Sequence, residues 1–215
     1  MGRAVEEAAC GRGHEIVATV DSPADWQERI EDIRSCDMAI EFSTPATAVE
    51  NIMRCFGLGL AVVSGTTGWH DRLESVVRDC QERGQALFVA SNFSIGMNIM
   101  FELNRRLAQL MEGRKEYAAA ITETHHIHKL DAPSGTAITL AQDIADHQRA
   151  VPQITSRREG EVPGIHEVVY DSEVDTLTLR HEAKSRKGLA LGAVLAAEFL
   201  QGRQGYYTMR DLLNE

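Results

Sequence analysis

"DMAIEFSTPATAVENIMRCFGLGLAVVSGTTGW", Asp37–Trp69, places two short β-rich runs on either side of an amphipathic one. "DMAIEF" and "LAVVS" read as strands and "TAVENIMRCF" between them as a helix. Two strands joined by a crossover helix imply parallel pairing in one sheet. The alternation extends in both directions. Upstream, a helix from about Arg3 to Ala9 stops at Gly11 and Gly13, then come strand "EIVATV" (Glu15–Val20) and helix "DWQERIEDIRS" (Asp25–Ser35). Downstream lie helix "HDRLESVVRDCQER" (His70–Arg83) and strand "QALFVA" (Gln85–Ala90). The pattern predicts a doubly wound α/β sheet with parallel strands.

Ligands of such sheets sit at the carboxyl ends of the strands. Asp21, "FSTP" (Phe42–Pro45), "GTTGW" (Gly65–Trp69) and "SNFSIG" (Ser91–Gly96) stand at the four predicted strand ends, so small and polar residues line the expected crevice. Asp21 suits the ribose hydroxyls of an adenine dinucleotide; it could equally be a solvated loop residue or a helix cap. Gly65, Thr66, Thr67 and Gly68 would let a backbone approach a flat ring, or simply turn the chain from strand to helix. A dinucleotide-binding sheet ordinarily starts with a strand and a G-x-G-x-x-G loop opening the first helix, with an acidic residue about 20 positions on. Here the helix is present and Asp21 follows Gly2 by 19 residues, but the strand and earlier glycines are not in the chain, which begins as though cut inside the motif.

After Gly96 the pattern changes. A helix from about Asn98 to Met111 leads into a strand, "YAAAITETHH" (Tyr117–His126), and a helix from Gly135 to about His147 follows. "HEVVYD" and "TLTLRHEA" alternate like antiparallel strands, so this is a second, α+β domain. "GLALGAVLAAEFL" (Gly188–Leu200) is apolar enough for a largely buried helix, and "YYTMRDLL" (Tyr206–Leu213) reads as a short last one; this tail could return to the first domain. The boundaries expected are 1–93 with 186–215 for a dinucleotide-binding domain and 94–185 for a substrate-binding one.

Bulk properties exclude several classes. The 215 residues, 43% hydrophobic and 25% charged, suit a soluble globular protein with one sizeable core or two modest ones. No apolar run reaches the roughly 18–20 residues of a membrane span, and the start is no signal peptide. Cys10, Cys36, Cys55 and Cys80 form no C-x-x-C pair and read as buried free thiols of a cytoplasmic protein. A net charge of −10 argues against nucleic acid as a partner. An anionic small molecule would need a local positive pocket.

"ETHHIHKLDAPSGTA", Glu123–Ala137, supplies one: His125, His126, His128 and Lys129 fall within five residues, before a helix start. Histidines alternating in direction on a strand do not converge on one ion, so no metal is expected. Surface histidines are the plain alternative. The sharper reading is an anion-binding, proton-donating site. Ser134 is a good N-cap, and Gly135 and Thr136 open a helix whose N–H groups and positive dipole end favour a carboxylate. Histidine and lysine are readily tuned to give a proton near neutral pH.

The same stretch resembles the E-x-H-H-x-x-K-x-D-A-P-S-G-T-A signature of the dihydrodipicolinate reductase family. "EFSTP", "GTTGW", "SNFSIGMN", "RHEAKSR", "GLALGAVLAAEFL" and "GYYTMRDLL" look like that family's segments in the right order, so the resemblance spans nearly the whole chain. It implies a Rossmann-type sheet, here without its first strand, since the family's helix-opening motif ends in Met-Gly and this chain begins Met1-Gly2. It also implies hydride transfer from NADH or NADPH to a cyclic imine dicarboxylate in the diaminopimelate route to lysine. His125 would be the acid/base group and Lys129 the proton donor, with His126, Ser134, Gly135 and Thr136 holding the substrate carboxylates. Asp21, Gly65, Thr66, Thr67, Ala90, Ser91, Asn92 and Phe93 would line the dinucleotide. NADH is favoured, because Asp21 repels a 2′-phosphate and Ser22 offers no compensating charge. The family is typically a homotetramer built through the second domain's sheet. A non-enzymatic or impaired dinucleotide-binding chain is the rival reading; it would keep Asp21 and GTTG but has no use for the His/Lys cluster.

Overall fold

The computed structural model describes every residue except Arg149. The chain runs through α1 (Gly2–Gly11), α2 (Pro23–Glu28), α3 (Ile30–Arg34), β1 (Met38–Glu41), α4 (Ala48–Gly57), β2 (Ala61–Ser64) and a 3₁₀ turn at His70–Arg72. It continues with α5 (Leu73–Glu82), β3 (Ala86–Val89), α6 (Ile95–Leu110), β4 (Ala118–His125), α7 (Gly135–Ala145) and β5 (Gln153–Arg158). β6 (Ile165–Asp171), β7 (Thr176–Glu182), α8 (Lys187–Leu200), β8 (Gly205–Tyr207) and α9 (Met209–Leu213) complete it. Two compact units result: Met1–Ile95 with Lys187–Glu215, and Gly96–Arg186.

The first unit holds a parallel sheet of order β1-β2-β3-β8. Its pleat sorts side chains into two rows, as a period of two requires. Ala39, Val62, Leu87 and Tyr206 are paired neighbours and share one apolar cluster with residues of α4 and α5. Ile40, Val63, Phe88 and Tyr207 form the next row and pack with α1 and α8. Helices therefore cover both faces, the doubly wound arrangement. Gly192 of α8 is required by this packing: a Cβ there would lie 1.7 Å from the Phe93 carbonyl oxygen.

Some expectations are corrected. Residues 15–20 form no strand, because a strand needs a ladder partner and β1, at the sheet edge, pairs among the described residues with β2 alone. Ile16 packs into one core and Ala18 and Val20 into the other, while Arg29 donates to the carbonyls of Val17 and Thr19, each at 3.4 Å. That side chain takes over part of what a neighbouring strand would do. The expected helix over 25–35 is broken into α2 and α3. Tyr206 and Tyr207 belong to edge strand β8 and not to the last helix, which starts after Thr208 with a capping box to Asp211. β5 was not expected at all. Of the cysteines, Cys55 and Cys80 are buried, with thiols pushed up by burial to about 12 and about 11, but Cys10 is exposed and Cys36 half-buried.

The second unit holds a mixed sheet of order β5-β4-β6-β7, parallel between β4 and β5 and antiparallel elsewhere. α6 and α7 pack on one face through Met97, Met100, Ala137, Leu140 and Ile144. Under them runs a transverse apolar row, Ile154–Ile121–Val168–Leu179. Two residues further along β4 the row becomes Ser156–Glu123–His166–His181, polar at every strand. This change marks the site. Among the described residues, no helix is long and apolar enough to cross a membrane.

Candidate active site

β4 ends at His125, and the chain then turns: Ile127 N–H donates to the Gly160 carbonyl and Lys129 N–H to that of His126. The strand thus ends one residue earlier than expected, and the turn, not strand alternation, spreads the three histidines. His125 is buried, its Nδ1 on the Glu123 carboxylate. His126 accepts from Arg186 Nη2 at 3.2 Å through Nε2, which leaves the proton on Nδ1; that nitrogen is buried without a partner among the described residues. His128 points instead to Glu161, 3.1 Å away. A cavity of about 310 Å³ opens here, lined by His126, His128, Glu161, Pro163 and Arg186. Lys129 pairs with Asp131 at 2.8 Å, and that contact holds the Asp131 carboxyl below the usual carboxylate range.

Ser134 is the N-cap of α7, accepting from Ala137 N–H at 3.2 Å, and is 2% exposed. Gly135 is exposed and Thr136 half-buried in the first turn, where the leading N–H groups have no intrahelical acceptor. The Ser134 hydroxyl also lies 3.3 Å from His166 Nε2, and the His166 ring meets the His125 ring edge-on at 5.0 Å. One chain of contacts therefore joins the start of α7 to His125. Gly164 leaves room for it: a Cβ there would lie 3.1 Å from His125 Nε2.

Charge in this cluster follows burial. Desolvation pushes His166 down to about 4, helped by the nearby His125, so it stays neutral near pH 7. Burial lowers His125 as well, and the Glu123 carboxylate opposes that only in part. Burial pushes the fully buried Glu123 up, but hydrogen bonds from Ser156, Arg158 and His125 overcome it and hold the carboxyl below its ordinary value. Glu123, His125 and His166 each offer a ligand atom within 4.8 Å of the others, with no ion present. A cation there would have to displace Arg158 Nη1, 3.0 Å from Glu123, and sit beside a second cation, Lys129.

In the first unit the carboxyl ends of the strands meet around one side chain. Glu41, 7% exposed, accepts from Ser43 N–H, the Thr66 hydroxyl (2.8 Å each), the Ser43 hydroxyl (2.5 Å) and the Ser64 hydroxyl (2.6 Å). Gly65 carries no Cβ because one would fall 2.0 Å from the Phe42 ring, and Gly68 adopts φ +82° against Pro45. Segments 42–45 and 64–68 are thereby fixed as one piece. Thr66 spends its proton on Glu41, so towards a ligand its hydroxyl can only accept. Thr67 and Ser91 are exposed at the strand ends, and Ala90 and Asn92 half-buried. Phe93 is buried against Phe42 and Phe88, so only its backbone can face a ligand. Asp21 is exposed; the cap of α2 is made by Ser22 and Asp25, which leaves the Asp21 carboxylate outside it.

Sequence reasoning did not single out Glu41, Arg158, Gly164, His166 or Arg186, which sit on other strands and loops; Glu123 stood in the quoted signature without a role. Comparison with known proteins bears on the family of the chain. Residues 1–93 match the family model described as dihydrodipicolinate reductase, N-terminus, and 96–213 the one described as dihydrodipicolinate reductase, C-terminus. The 4-hydroxy-tetrahydrodipicolinate reductase of Christiangramia forsetii is 43% identical over all of this chain and 94% of its own. That of Methanopyrus kandleri is 35% identical over 84% and 72% of the two chains. In fold, the dipicolinate-bound dihydrodipicolinate reductase from Paenisporosarcina sp. TG-14 superposes with a TM-score of 0.83 at 22% identity, covering 96% of this chain and 92% of that one. An amine dehydrogenase from Mycobacterium smegmatis follows at 0.60 and 10% identity, with 97% and 92% covered. Both halves of the chain, and the identity to the curated proteins, lead to the same family: this chain is a dihydrodipicolinate reductase family member.

Proposed function

We propose that the chain reduces 4-hydroxy-tetrahydrodipicolinate, the cyclic imine dicarboxylate of the diaminopimelate route to lysine. The observation that carries this reading is the chain of contacts from Ser134 at the head of α7 through His166 to His125, beside the Lys129 turn. It puts a carboxylate-binding helix start next to a group that can give a proton.

The second unit is the substrate domain. The free N–H groups of Gly135 and Thr136, the Thr136 hydroxyl and His126 take the two carboxylates, with Ser134 fixing the helix start. Neutralising the carboxylates makes the conjugated imine more electrophilic, and charge developing on the ring is met by fixed donors. Lys129 then delivers the proton, and His125 is the acid/base group: with Nδ1–H held by Glu123, it takes up a proton at Nε2 and can give it back only from the imidazolium so formed. The first unit is the dinucleotide domain, and NADH or NADPH bound there supplies the hydride. Asp21 takes the ribose hydroxyls, and Gly65, Thr66, Thr67, Ala90, Ser91, Asn92 and the Phe93 backbone line the cofactor. NADH is preferred, because the free Asp21 carboxylate repels a 2′-phosphate. The protein is a cytoplasmic homotetramer. Exposed Ala118, Ala120, Thr155, Thr176 and Thr178 on the second unit's strands support that, as a surface for other copies.

The test is NADH and NADPH oxidation with the condensation product of pyruvate and aspartate semialdehyde. Oxidation dependent on that compound, and faster with NADH, is expected. Oxidation with simple ketones and none with this imine would overturn the assignment.

A further inference from the structure

We propose that the buried Glu123 and the half-buried Arg158 form a positioning couple that sets both proton-handling side chains, His125 through the Glu123 carboxylate and Lys129 through its own main chain. The proposal rests on reading His125 and Lys129 as the acid–base pair and goes beyond it.

Glu123 is 0% exposed and both of its oxygens are engaged, one by His125 Nδ1 and the other by Arg158 Nη1 at 3.0 Å. For stability alone this is a poor use of space, since apolar groups of the same volume often serve as well as a buried ion pair. What an ionised carboxylate adds is direction. It accepts the Nδ1 proton of His125, fixing the ring's orientation and tautomer and leaving Nε2 for exchange. The register makes this reach possible: Glu123 and His125 lie two residues apart on one face of β4, and Arg158 pairs with His125 across the parallel ladder to β5.

Arg158 does more than balance the charge. Its Nε donates to the Lys129 carbonyl at 3.2 Å and its Nη2 to the Asp131 carbonyl. One planar guanidinium thus ties the group behind His125 to the turn that carries Lys129. Lysine, with a single donor head, cannot span all three acceptors. The other titratable groups nearby fit this assignment: His166 on β6, against His125, and His181 on β7, beside His166, are both lowered by burial, and Lys129 comes from the turn.

Glu123→Gln and Arg158→Lys separate the two functions. Glu123→Gln should lower kcat by about 10–10²-fold with the KM for NADH unchanged. It should also move the alkaline limb of the kcat profile to lower pH, because the imidazolium loses the carboxylate that favours it. Arg158→Lys should lower kcat about tenfold and leave that limb in place. Wild-type kcat and an unmoved limb in Glu123→Gln would overturn the proposal. Should that variant not fold, imidazole nitrogen NMR of the unsubstituted protein decides: His125 protonated on Nδ1 is expected, and an Nε2–H tautomer would refute it. His125→Ala keeps the parent reading separable. If it is inactive while Glu123→Gln is normal, only the positioning couple is lost; if it is fully active, the acid–base reading itself fails.

Discussion

Each unit buries one glutamate at the chemical end of its sheet, and the two are satisfied in opposite ways. Glu41 is met by one backbone N–H and three hydroxyls, all neutral, from the last residue of β2 and from the loops after β1 and β2. Glu123 is met by an imidazole, a guanidinium and a serine. The first carboxylate gathers loops: it binds segments 42–45 and 64–68 into one rigid edge. The second is coupled to groups that titrate, so its charge is part of the proton chemistry. A buried carboxylate is thus no single kind of feature, and its partners decide whether it acts on geometry or on protonation.

The largest effect should come from the proton-handling groups themselves. Lys129→Ala or His125→Ala should reduce kcat by roughly 10²–10⁴-fold, the scale of general acid–base catalysis. Steady-state kinetics at saturating NADH would show it; near-normal kcat in Lys129→Ala would remove the proton-donor role.

Next in size is a pH dependence peculiar to the second unit. His166, His125 and His181 all have folded-state values below an ordinary histidine. Well above about pH 6.5 they are neutral in both states and contribute no slope. As the pH falls below that, the unfolded chain takes up protons that the folded chain refuses, so stability declines, and for His166 it does so until about 4. The slope is about 1.4 kcal/mol per pH unit for each histidine so affected. Urea denaturation at pH 7, 6 and 5 should show the loss, and His166→Asn should lessen it, with His125 and His181 still contributing. Constant stability from pH 7 to 5 would contradict the buried neutral imidazole.

Glu41→Gln should be the mildest. The amide oxygen can keep the Ser43 and Thr66 donors at the Oε1 position, and the amide nitrogen then takes the Oε2 position, where the Ser64 hydroxyl must rotate to accept. The cost should be about 1–2 kcal/mol of stability, with a raised KM for NADH and kcat largely retained. A fall in kcat as deep as that of Glu123→Gln would erase the contrast between the two carboxylates.

Much of this was legible because the signals were local. β1, α4, β2, α5 and β3 alternate within one stretch of sequence, and His125, His126, Lys129 and Ser134 fall in one signature. What stayed hidden depends on pairing. β5 is an edge strand whose Gln153, Thr155 and Arg157 face outward, so it shows little apolar alternation. Glu15–Val20 has a strand's composition but no ladder partner. Tyr206 and Tyr207 read as a helix start until Thr208 and Asp211 are seen to cap the helix after them. Arg158 and His166 join the site only through the register of β5 and β6 on β4, which no spacing along the chain encodes.

The change from the apolar row Ile154–Ile121–Val168–Leu179 to the polar row Ser156–Glu123–His166–His181 also divides labour within a single sheet. The apolar row supplies solvent-averse area and can nucleate the unit with its covering helices. The polar row gains little from burial and depends on each member finding its partner. Cooperativity should therefore decline along β4 towards His125. Local opening at that end would expose little hydrocarbon, and the strands could fray and close there while the other end stays folded.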